Sequence, residues 1–274
     1  LPSGPGRKRK NRFWPLKCSF IGFSAPGFGI PGFRRSTTVV RLLMQLTIPR
    51  FLHARSFLRA RRLLRQPVWM GTLRSTLPVT RWGWERGTPI DRYYIESFLN
   101  RHRADIRGRV LEVKDDNYSR RFGQEPLDAQ VLDIDAGNSA ATIVADLAAA
   151  DSIPSCSFDC FILTNTLQYI IDLDSAVRHS HRILRPGGVL LATVPTICRI
   201  DLPIYPDYWR FTPAICRKLF EKHFAPEKVR VEPLGNVLSA IAFLKGLPAQ
   251  DLNRPELDYK DVAYPVITSI RAVK

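Results

Sequence analysis

The chain has 274 residues, of which 45% are hydrophobic and 24% are charged, and its net charge is +16. This length accommodates one large α/β domain and an appendage. Five cysteines at irregular spacing exclude a disulfide-rich scaffold and favour a reducing, cytoplasmic location. The sequence contains no run of eighteen apolar residues, so no transmembrane helix is expected.

The positive charge is concentrated towards the N-terminal end. Residues 1–90 contain 18 lysines and arginines and one acid, Glu85, whereas residues 91–274 are close to neutral. This distribution argues against nucleic-acid binding by the main domain. We predict that residues 1–80 form a basic, poorly ordered leader, because Gly and Pro interrupt its apolar residues. An anionic membrane or nucleic acid is its candidate partner, and a solvated extension without a partner is the alternative.

The first ordered element predicted is a helix that begins after Gly87. Ile90, Tyr94 and Phe98 recur every four residues, which places them on one apolar face. Apolar runs then predict strands at residues 109–113, 131–135, 142–144, 158–163, 189–194, 229–231 and 264–274. Helical segments alternate with these strands. This order predicts an α/β fold with a Rossmann-like, doubly wound, seven-stranded sheet, mostly parallel with an antiparallel last strand.

A β-α-β unit at residues 157–195 organises this sheet. Its strands, Phe158–Leu163 and Val189–Val194, are continuously apolar, as expected of strands that are covered on both faces. The helix between them is predicted to end at Pro186. Since a parallel sheet binds its ligand outside the carboxyl ends of its strands, Thr164 and Asn165 are candidate site residues.

Acidic residues end three successive predicted strands and converge on the same edge of the sheet. They are Glu112 on strand one, Asp133 and Asp135 on strand two, and Asp146 after strand three. An acid at the tip of strand two is the position that binds ribose hydroxyls in dinucleotide-type sites. Asp135 is favoured because it ends the apolar run, although the alternation of side chains allows Asp133 instead.

The turn after strand one lacks a phosphate-binding sequence. Lys114, Asp115 and Asp116 stand where Gly-x-Gly-x-x-Gly would be needed, and the two acids would repel a pyrophosphate. A nicotinamide dehydrogenase is therefore disfavoured. The predicted cofactor carries a ribose, a base and positive charge without a phosphate chain, which fits S-adenosylmethionine.

Six segments resemble class I S-adenosylmethionine-dependent methyltransferases of the group often called type 11: Val110–Val113, Val131–Asp135, Ala145–Leu147, Ser157–Asp159, Leu167–Ile170 and Arg182–Leu191. The resemblance covers about residues 88–274, and residues 81–274 are predicted to form a methyltransferase-like domain. The resemblance implies that Glu112 orients the methionine amino end and that Asp135 or Asp133 binds the ribose. By the same resemblance, Asp146 and Leu147 face the adenine, and Thr164 and Asn165 line the methyl-donor channel.

The chain departs from this family in two places. Lys114–Asn117 replaces the usual Gly-x-Gly, and Tyr169 stands where many relatives have histidine. Two segments outside the family motifs, residues 90–94 and 205–212, combine arginine with aromatic side chains and are predicted to recognise the acceptor. The candidate acceptor-binding residues are Arg92, Tyr93, Tyr208, Trp209 and Arg210.

The resulting hypothesis is an enzyme that methylates an oxygen of a small-molecule or saccharide acceptor by in-line transfer. The missing glycines suggest the alternative, a catalytically silent methyltransferase-like binding or scaffold domain. No catalytic base is assigned. No metal site is predicted, because Cys156 and Cys160 fit none of the usual zinc-ligand spacings. His179 and His181 are expected on the solvated face of their helix.

Overall fold

The computed structural model describes residue 68, residues 70–201 and residues 206–274. The predicted leader up to residue 67, residue 69 and residues 202–205 lie outside the described residues. Residue 205 is the first residue of the predicted acceptor segment. The described strands are β1 (Arg107–Val113), β2 (Gln124–Asp133), β3 (Ile143–Val144), β4 (Phe158–Thr164), β5 (Leu184–Pro195), β6 (Val229–Leu234) and β7 (Ile267–Val273). The α-helices are α1 (Met70–Leu73), α2 (Ile90–Arg101), α3 (Asn117–Phe122), α4 (Leu173–Ile183), α5 (Pro213–Phe220), α6 (Val237–Leu244) and α7 (Arg254–Asp258).

The seven described strands form one sheet in the order β3-β2-β1-β4-β5-β7-β6. Strands β1 to β5 pair in parallel, whereas β7 runs antiparallel to both β5 and β6. The predicted Rossmann-like sheet with an antiparallel last strand is therefore confirmed. The strand order reverses between β1 and β4, and in an open α/β sheet this switch point is where ligands bind.

Strand β4 shows why the sheet is covered on both faces. Phe161 and Leu163 belong to one apolar cluster, and Cys160 and Ile162 belong to a second cluster that includes the buried face of α2. All four side chains are fully buried. Complete burial of a large apolar side chain contributes about 1.5–3 kcal/mol. The continuous apolar run therefore fixes β4 in the centre of the fold and holds its carboxyl end at the switch point.

The structure corrects two details of the β4-α4-β5 unit. Helix α4 ends at Ile183 and β5 begins at Leu184, so Pro186 lies within the strand segment and does not end the helix. His179 is fully buried, not solvated. Its Nδ1 accepts a hydrogen bond from Arg182 Nε at 3.2 Å, and burial lowers the pKa of the imidazole. The helical period was read correctly, but the histidine lies on the packed side.

The chain just before residue 81 packs against the domain. Val79 N–H donates to the Lys245 carbonyl at 2.8 Å, and the Thr80 hydroxyl donates to the Gly246 carbonyl at 2.6 Å. Leu73 and Val79 are partly buried against the same apolar cluster as α2. The packed chain therefore extends to the N-terminal side of the predicted boundary at residues 80/81. Within the described part of the chain, no helix has the length and apolar character of a membrane span.

Candidate active site

A cleft of about 830 Å³ opens at the carboxyl ends of the parallel strands. Ligand pockets typically have volumes of roughly 300–1,000 Å³, so the cleft can hold a small molecule. Six of the seven predicted cofactor-binding residues line it: Glu112, Asp133, Asp135, Leu147, Thr164 and Asn165. Among the predicted acceptor-binding residues, only Arg92 lines it.

Two acids stand at the end of β2, and the structure distinguishes them. The strand ends at Asp133, and Ile134 is 57% exposed, so the apolar run that favoured Asp135 stops before that residue. Asp133 Oδ1 accepts from Asp135 N–H at 3.0 Å, and its Oδ2 accepts from Asn138 Nδ2 at 2.6 Å. Asp135 is exposed and accepts from Gly137 N–H at 2.8 Å. Asp133 is therefore the better-oriented candidate for a ribose.

The turn after β1 keeps a glycine-like backbone without a glycine. Lys114 has φ of 79°, in the left-handed region that favours glycine. Its N–H donates to the Leu132 carbonyl at 2.9 Å, and its carbonyl accepts from Asn138 Nδ2 at 2.7 Å. These bonds tie the turn to the end of β2. The turn therefore has the backbone shape of a tight loop. Lys114 adopts this shape at an energetic cost, because it has a side chain.

We expect Lys114→Gly to stabilise the protein. A non-glycine residue in the left-handed region costs about 1–2 kcal/mol, while glycine loses about 0.5–1 kcal/mol through its freer unfolded state. The free energy of unfolding, measured by urea denaturation, should therefore rise by up to about 1 kcal/mol. Lys114→Ala is the matched control and should show no gain, since alanine keeps the strain. A loss of stability in the glycine variant would show that the lysine side chain contributes more than its backbone costs.

Glu112 is almost completely buried at the end of β1 and is held by the start of α3. Its Oε1 accepts from Tyr118 N–H at 3.0 Å. Its Oε2 accepts from Ser119 N–H at 2.7 Å and from the Ser119 hydroxyl at 2.6 Å. Burial raises the pKa of Glu112 to about 7, although these hydrogen bonds act in the opposite direction. Glu112 is 2% exposed and already accepts three hydrogen bonds, whereas Asp133 is only partly buried and accepts one on each oxygen. Glu112 therefore positions the turn and is poorly placed to take the methionine amino group.

The raised pKa of Glu112 predicts a pH dependence of stability. Between pH 4.5 and about 7 the folded protein retains a proton that the unfolded chain releases, so this group's contribution to stability falls as pH rises. A shift of this size corresponds to a loss on the order of 3 kcal/mol across that window. Urea unfolding at several pH values should show a shallower pH dependence in Glu112→Gln than in the wild type. Identical pH profiles would contradict the raised pKa.

The adenine side of the cleft only partly matches the sequence prediction. Leu147 is buried and lines the cleft, whereas Asp146 is exposed and does not line it. The Asp146 carboxylate accepts from Ala148 N–H at 2.9 Å and caps the short 3-10 helix that follows. Ile134, which the sequence did not single out, projects from the end of β2 and offers an apolar surface to the cleft.

The carboxyl end of β4 meets the first turn of α2. Asn165 has φ of 44°, which asparagine tolerates better than most residues, and its Nδ2 lies 3.4 Å from Asp91 Oδ2. The other carboxylate oxygen, Asp91 Oδ1, is buried and has no hydrogen-bond partner among the described residues. Burial raises the pKa of Asp91, and the adjacent Arg92 opposes that effect. Asp91 was not a predicted site residue, since nothing in the local sequence marks an unpaired carboxylate.

Four of the predicted acceptor-binding residues do not themselves line the cleft. The Tyr93 hydroxyl donates to Asp258 Oδ1 at 2.5 Å, and Trp209 Nε1 donates to the Ile170 carbonyl at 2.9 Å. Arg210 pairs with Asp207 through both terminal nitrogens, at 2.5 and 2.8 Å. Tyr208 is 48% exposed at the surface. Arg210 and Trp209 therefore stabilise the segment, and its cleft-lining member is Asp207.

A different set of polar and aromatic residues lines the cleft near the end of β5. The Tyr169 hydroxyl donates to Asp201 Oδ2 at 3.3 Å, and burial raises the pKa of the phenol to about 12. The phenol therefore stays protonated at neutral pH. Arg199 lies over the Trp82 ring, 5.0 Å from its centroid. The sequence analysis identified Tyr169 as a replacement for histidine, but no sequence pattern indicated its hydrogen bond to Asp201.

Comparison with known proteins relates part of this chain to a family. Residues 106–192 match the sequence model of a family described as "Methyltransferase domain". No curated protein matches the chain. Similar solved structures include a SAM-dependent methyltransferase from Archaeoglobus fulgidus, with 13% identity, a TM-score of 0.43, and coverage of 67% of this chain and 94% of that one. Another, from Mesorhizobium loti, has 17% identity, a TM-score of 0.45, and coverage of 68% and 98%.

A third similar structure is phosphoethanolamine N-methyltransferase 2 from Haemonchus contortus in complex with S-adenosyl-L-methionine. It has 15% identity, a TM-score of 0.43, and coverage of 68% of this chain and 57% of that one. Because these TM-scores lie below 0.5, the assignment rests on the family match and on the cleft. The cleft fits S-adenosylmethionine: Asp133 offers a carboxylate for ribose hydroxyls, and Asp91 offers a carboxylate oxygen for a cation, Oδ1, which has no partner among the described residues. Residues 106–192 therefore match a methyltransferase domain, and the cleft that they help to form fits S-adenosylmethionine.

Proposed function

We propose that this methyltransferase transfers the methyl group to a hydroxyl oxygen of a small-molecule or saccharide acceptor. The observation that carries the proposal is the Tyr169–Asp201 pair, which lines the cleft beyond the carboxyl end of β5. A hydroxyl nucleophile must lose its proton during the transfer, and a carboxylate within hydrogen-bond reach can accept it. When bound, S-adenosylmethionine supplies an activated methyl group on a sulfonium cation.

The neighbouring side chains suit a polar acceptor with apolar faces. Gln168 Nε2 donates to the Asn165 carbonyl at 2.7 Å, which directs its amide group. Its Oε1 is buried and has no partner among the described residues, so it is available as an acceptor for a hydroxyl donor. Trp82 and Trp84 add aromatic surface to the cleft lining. Such a mixture of aromatic faces and oriented polar atoms fixes the orientation of a hydroxylated ligand.

A methyl-transfer assay with the full chain and methyl-labelled S-adenosylmethionine tests this proposal. A panel of sugars, phenols and matched amines should show transfer to hydroxylated members. We expect Asp201→Asn to lower kcat by at least about a hundredfold, as for loss of a general base. Its affinity for S-adenosylhomocysteine should change by less than about twofold. Asp128→Asn, an exposed acid outside the cleft lining, is the matched control and should leave both quantities unchanged.

Two outcomes would contradict the proposal. Transfer confined to the amine members would exclude an oxygen acceptor, and full activity in Asp201→Asn would remove that residue from the chemistry. If the wild type binds neither S-adenosylmethionine nor S-adenosylhomocysteine, the catalytically silent alternative is favoured instead.

We also propose a cytoplasmic location, which the four unpaired cysteines of the described residues support, because thiols persist in a reducing compartment. An anionic membrane or nucleic acid stays the proposed partner of the basic leader, on the strength of its charge.

A further inference from the structure

The first turn of α2 contacts the segments that follow both central strands, β1 and β4. Arg92 Nη1 donates to the Tyr118 hydroxyl, and Tyr118 belongs to α3, just after β1. The preceding residue, Asp91, meets Asn165 after β4. Both Asp91 and Arg92 line the cleft. Two opposite charges on adjacent residues therefore stand at the place where a doubly wound sheet binds its ligand.

Arg92 is held by aromatic rings, which orient its guanidinium. The guanidinium carbon lies 5.7 Å from the Trp84 ring centroid and 5.6 Å from the Tyr118 ring centroid. These contacts favour the cation, and the interaction with Tyr118 raises the pKa of Arg92 against the effect of burial. A guanidinium has five N–H donors, and within the described residues its hydrogen bond to protein uses Nη1 alone. The remaining donors suit a planar carboxylate, which arginine binds through paired hydrogen bonds.

Asp91 carries the opposite charge, and the hydrogen bonding of its carboxylate is incomplete among the described residues. Its Oδ1 is buried without a partner among the described residues, and its Oδ2 contact to Asn165 is long, at 3.4 Å. Leaving a buried carboxylate oxygen unpaired is costly, so such an atom is expected to find a donor in the functional state. An ammonium group carries three donors and a positive charge, which match this requirement.

We propose that Asp91 and Arg92 hold the α-amino-acid end of S-adenosylmethionine, with Asp91 accepting from its ammonium and Arg92 donating to its carboxylate. This inference rests on the cofactor assignment and deepens it, because it gives that end of the cofactor a different holder from Glu112. The buried Glu112 already receives three hydrogen bonds from Tyr118 and Ser119. The proposed role of Asp91 and Arg92 also explains how a turn that carries Lys114 in place of glycine is compatible with binding. In this arrangement the amino-acid end of the cofactor is held from the α2 side. Arg92 then becomes a cofactor-binding residue, not an acceptor-binding one.

Calorimetric titration of the full chain with two probes separates this end of the cofactor from the rest. S-adenosylhomocysteine carries the adenosine and the amino acid, whereas 5′-methylthioadenosine carries the adenosine and the sulfur without the amino acid. Asp91→Asn and Arg92→Met should each weaken S-adenosylhomocysteine by at least about tenfold, as for loss of a charged hydrogen bond. Both variants should change the affinity for 5′-methylthioadenosine by less than about twofold.

The controls keep a local effect apart from a change in the fold. Glu96→Gln lies on the same helix, and its carboxylate pairs with Arg121 at 2.6 Å outside the cleft lining; it should leave both affinities unchanged. Arg92→Lys retains the charge without the paired N–H donors of the guanidinium. Its affinity for S-adenosylhomocysteine should lie between those of the wild type and Arg92→Met.

Each result decides the inference. Equal weakening of both probes would overturn it, because Asp91 and Arg92 would then shape the cleft as a whole. Wild-type affinities in both variants would overturn it while leaving the cofactor assignment intact. If the wild type binds neither probe, the cofactor assignment itself fails, and this inference fails with it.

Discussion

Asp133→Asn is expected to weaken the binding of both S-adenosylmethionine and S-adenosylhomocysteine by about ten- to a hundredfold. Hydrogen bonds between a charged group and a hydroxyl contribute about 1.5–3 kcal/mol, and both ligands carry the same ribose. Asp133 ends β2 and is partly buried in the cleft, with its orientation fixed by Asn138 Nδ2 at 2.6 Å. Asp135→Asn should have a smaller effect, because that carboxylate is exposed and accepts from Gly137 N–H. Calorimetric titration of the two variants with both ligands measures this difference.

The control for this prediction addresses the turn itself. Asp133 also accepts from Asp135 N–H, so the substitution removes part of what orders the turn. Asn138→Ala removes the amide that bridges Asp133 and the Lys114 carbonyl while keeping both carboxylates. If Asn138→Ala weakens binding as much as Asp133→Asn, the order of the turn and not the charge accounts for the loss. A larger loss in Asp135→Asn would return the ribose-binding role to Asp135, as the apolar run in the sequence indicated.

The elements of the fold could be predicted because they depend on local patterns. Continuous apolar runs mark strands that are buried on both faces, and β4 and β5 are such strands. The four-residue spacing of Ile90, Tyr94 and Phe98 marks a helix with one packed face, and all three are buried in α2. Strand bounds were less predictable: β2 begins at Gln124 and ends at Asp133, earlier than the predicted segment at both ends. The exposed Ile134 extended the apolar run in the sequence without extending the strand.

The site could be predicted only where its residues follow strands directly. Glu112, Asp133, Thr164 and Asn165 reach the cleft because parallel strands end at one edge of the sheet. Which groups each carboxylate contacts depends on residues that are distant in the chain. Asp91 and Asn165 are 74 residues apart, and Tyr169 and Asp201 are 32 apart, so no local pattern could reveal either contact.

For the aromatic and arginine-rich segment after β5, the sequence predicted binding residues that do not line the cleft. Composition indicated a binding surface at Tyr208–Arg210, but Arg210 and Asp207 are three residues apart and satisfy each other in an ion pair. Asp207 is almost completely buried, with 2% of its side chain exposed. Burial alone would raise its pKa, but the hydrogen bonds from Arg210 and from the Asp201 N–H lower it overall. The segment therefore contributes to the cleft through the groups that it positions, chiefly Asp207 and Asp201.

Removal of residues 1–80 should destabilise the domain, whereas removal of residues 1–67 should not. The shorter truncation removes only residues outside the described part of the chain. The longer one removes the hydrogen bonds of Val79 and Thr80 to the end of α6 and the apolar contacts of Leu73 and Val79. We expect the free energy of unfolding, from urea denaturation, to fall by about 2–4 kcal/mol relative to the shorter truncation. S-adenosylhomocysteine affinity should fall too, because the segment precedes the cleft residues Trp82 and Trp84.

A substitution at Gly246 tests whether this contact is the cause. Gly246 has φ of 71°, and a Cβ built there would lie 2.0 Å from the Thr80 carbonyl oxygen. Gly246→Ala should therefore destabilise the 68–274 protein through both backbone strain and a steric clash, and the 81–274 protein through strain alone. The cost of the substitution should be larger in the longer protein by at least about 1 kcal/mol, which a double-mutant cycle measures. Equal costs in the two proteins would mean that residues 70–80 do not pack against α6 in solution, and the domain would then begin at residue 81.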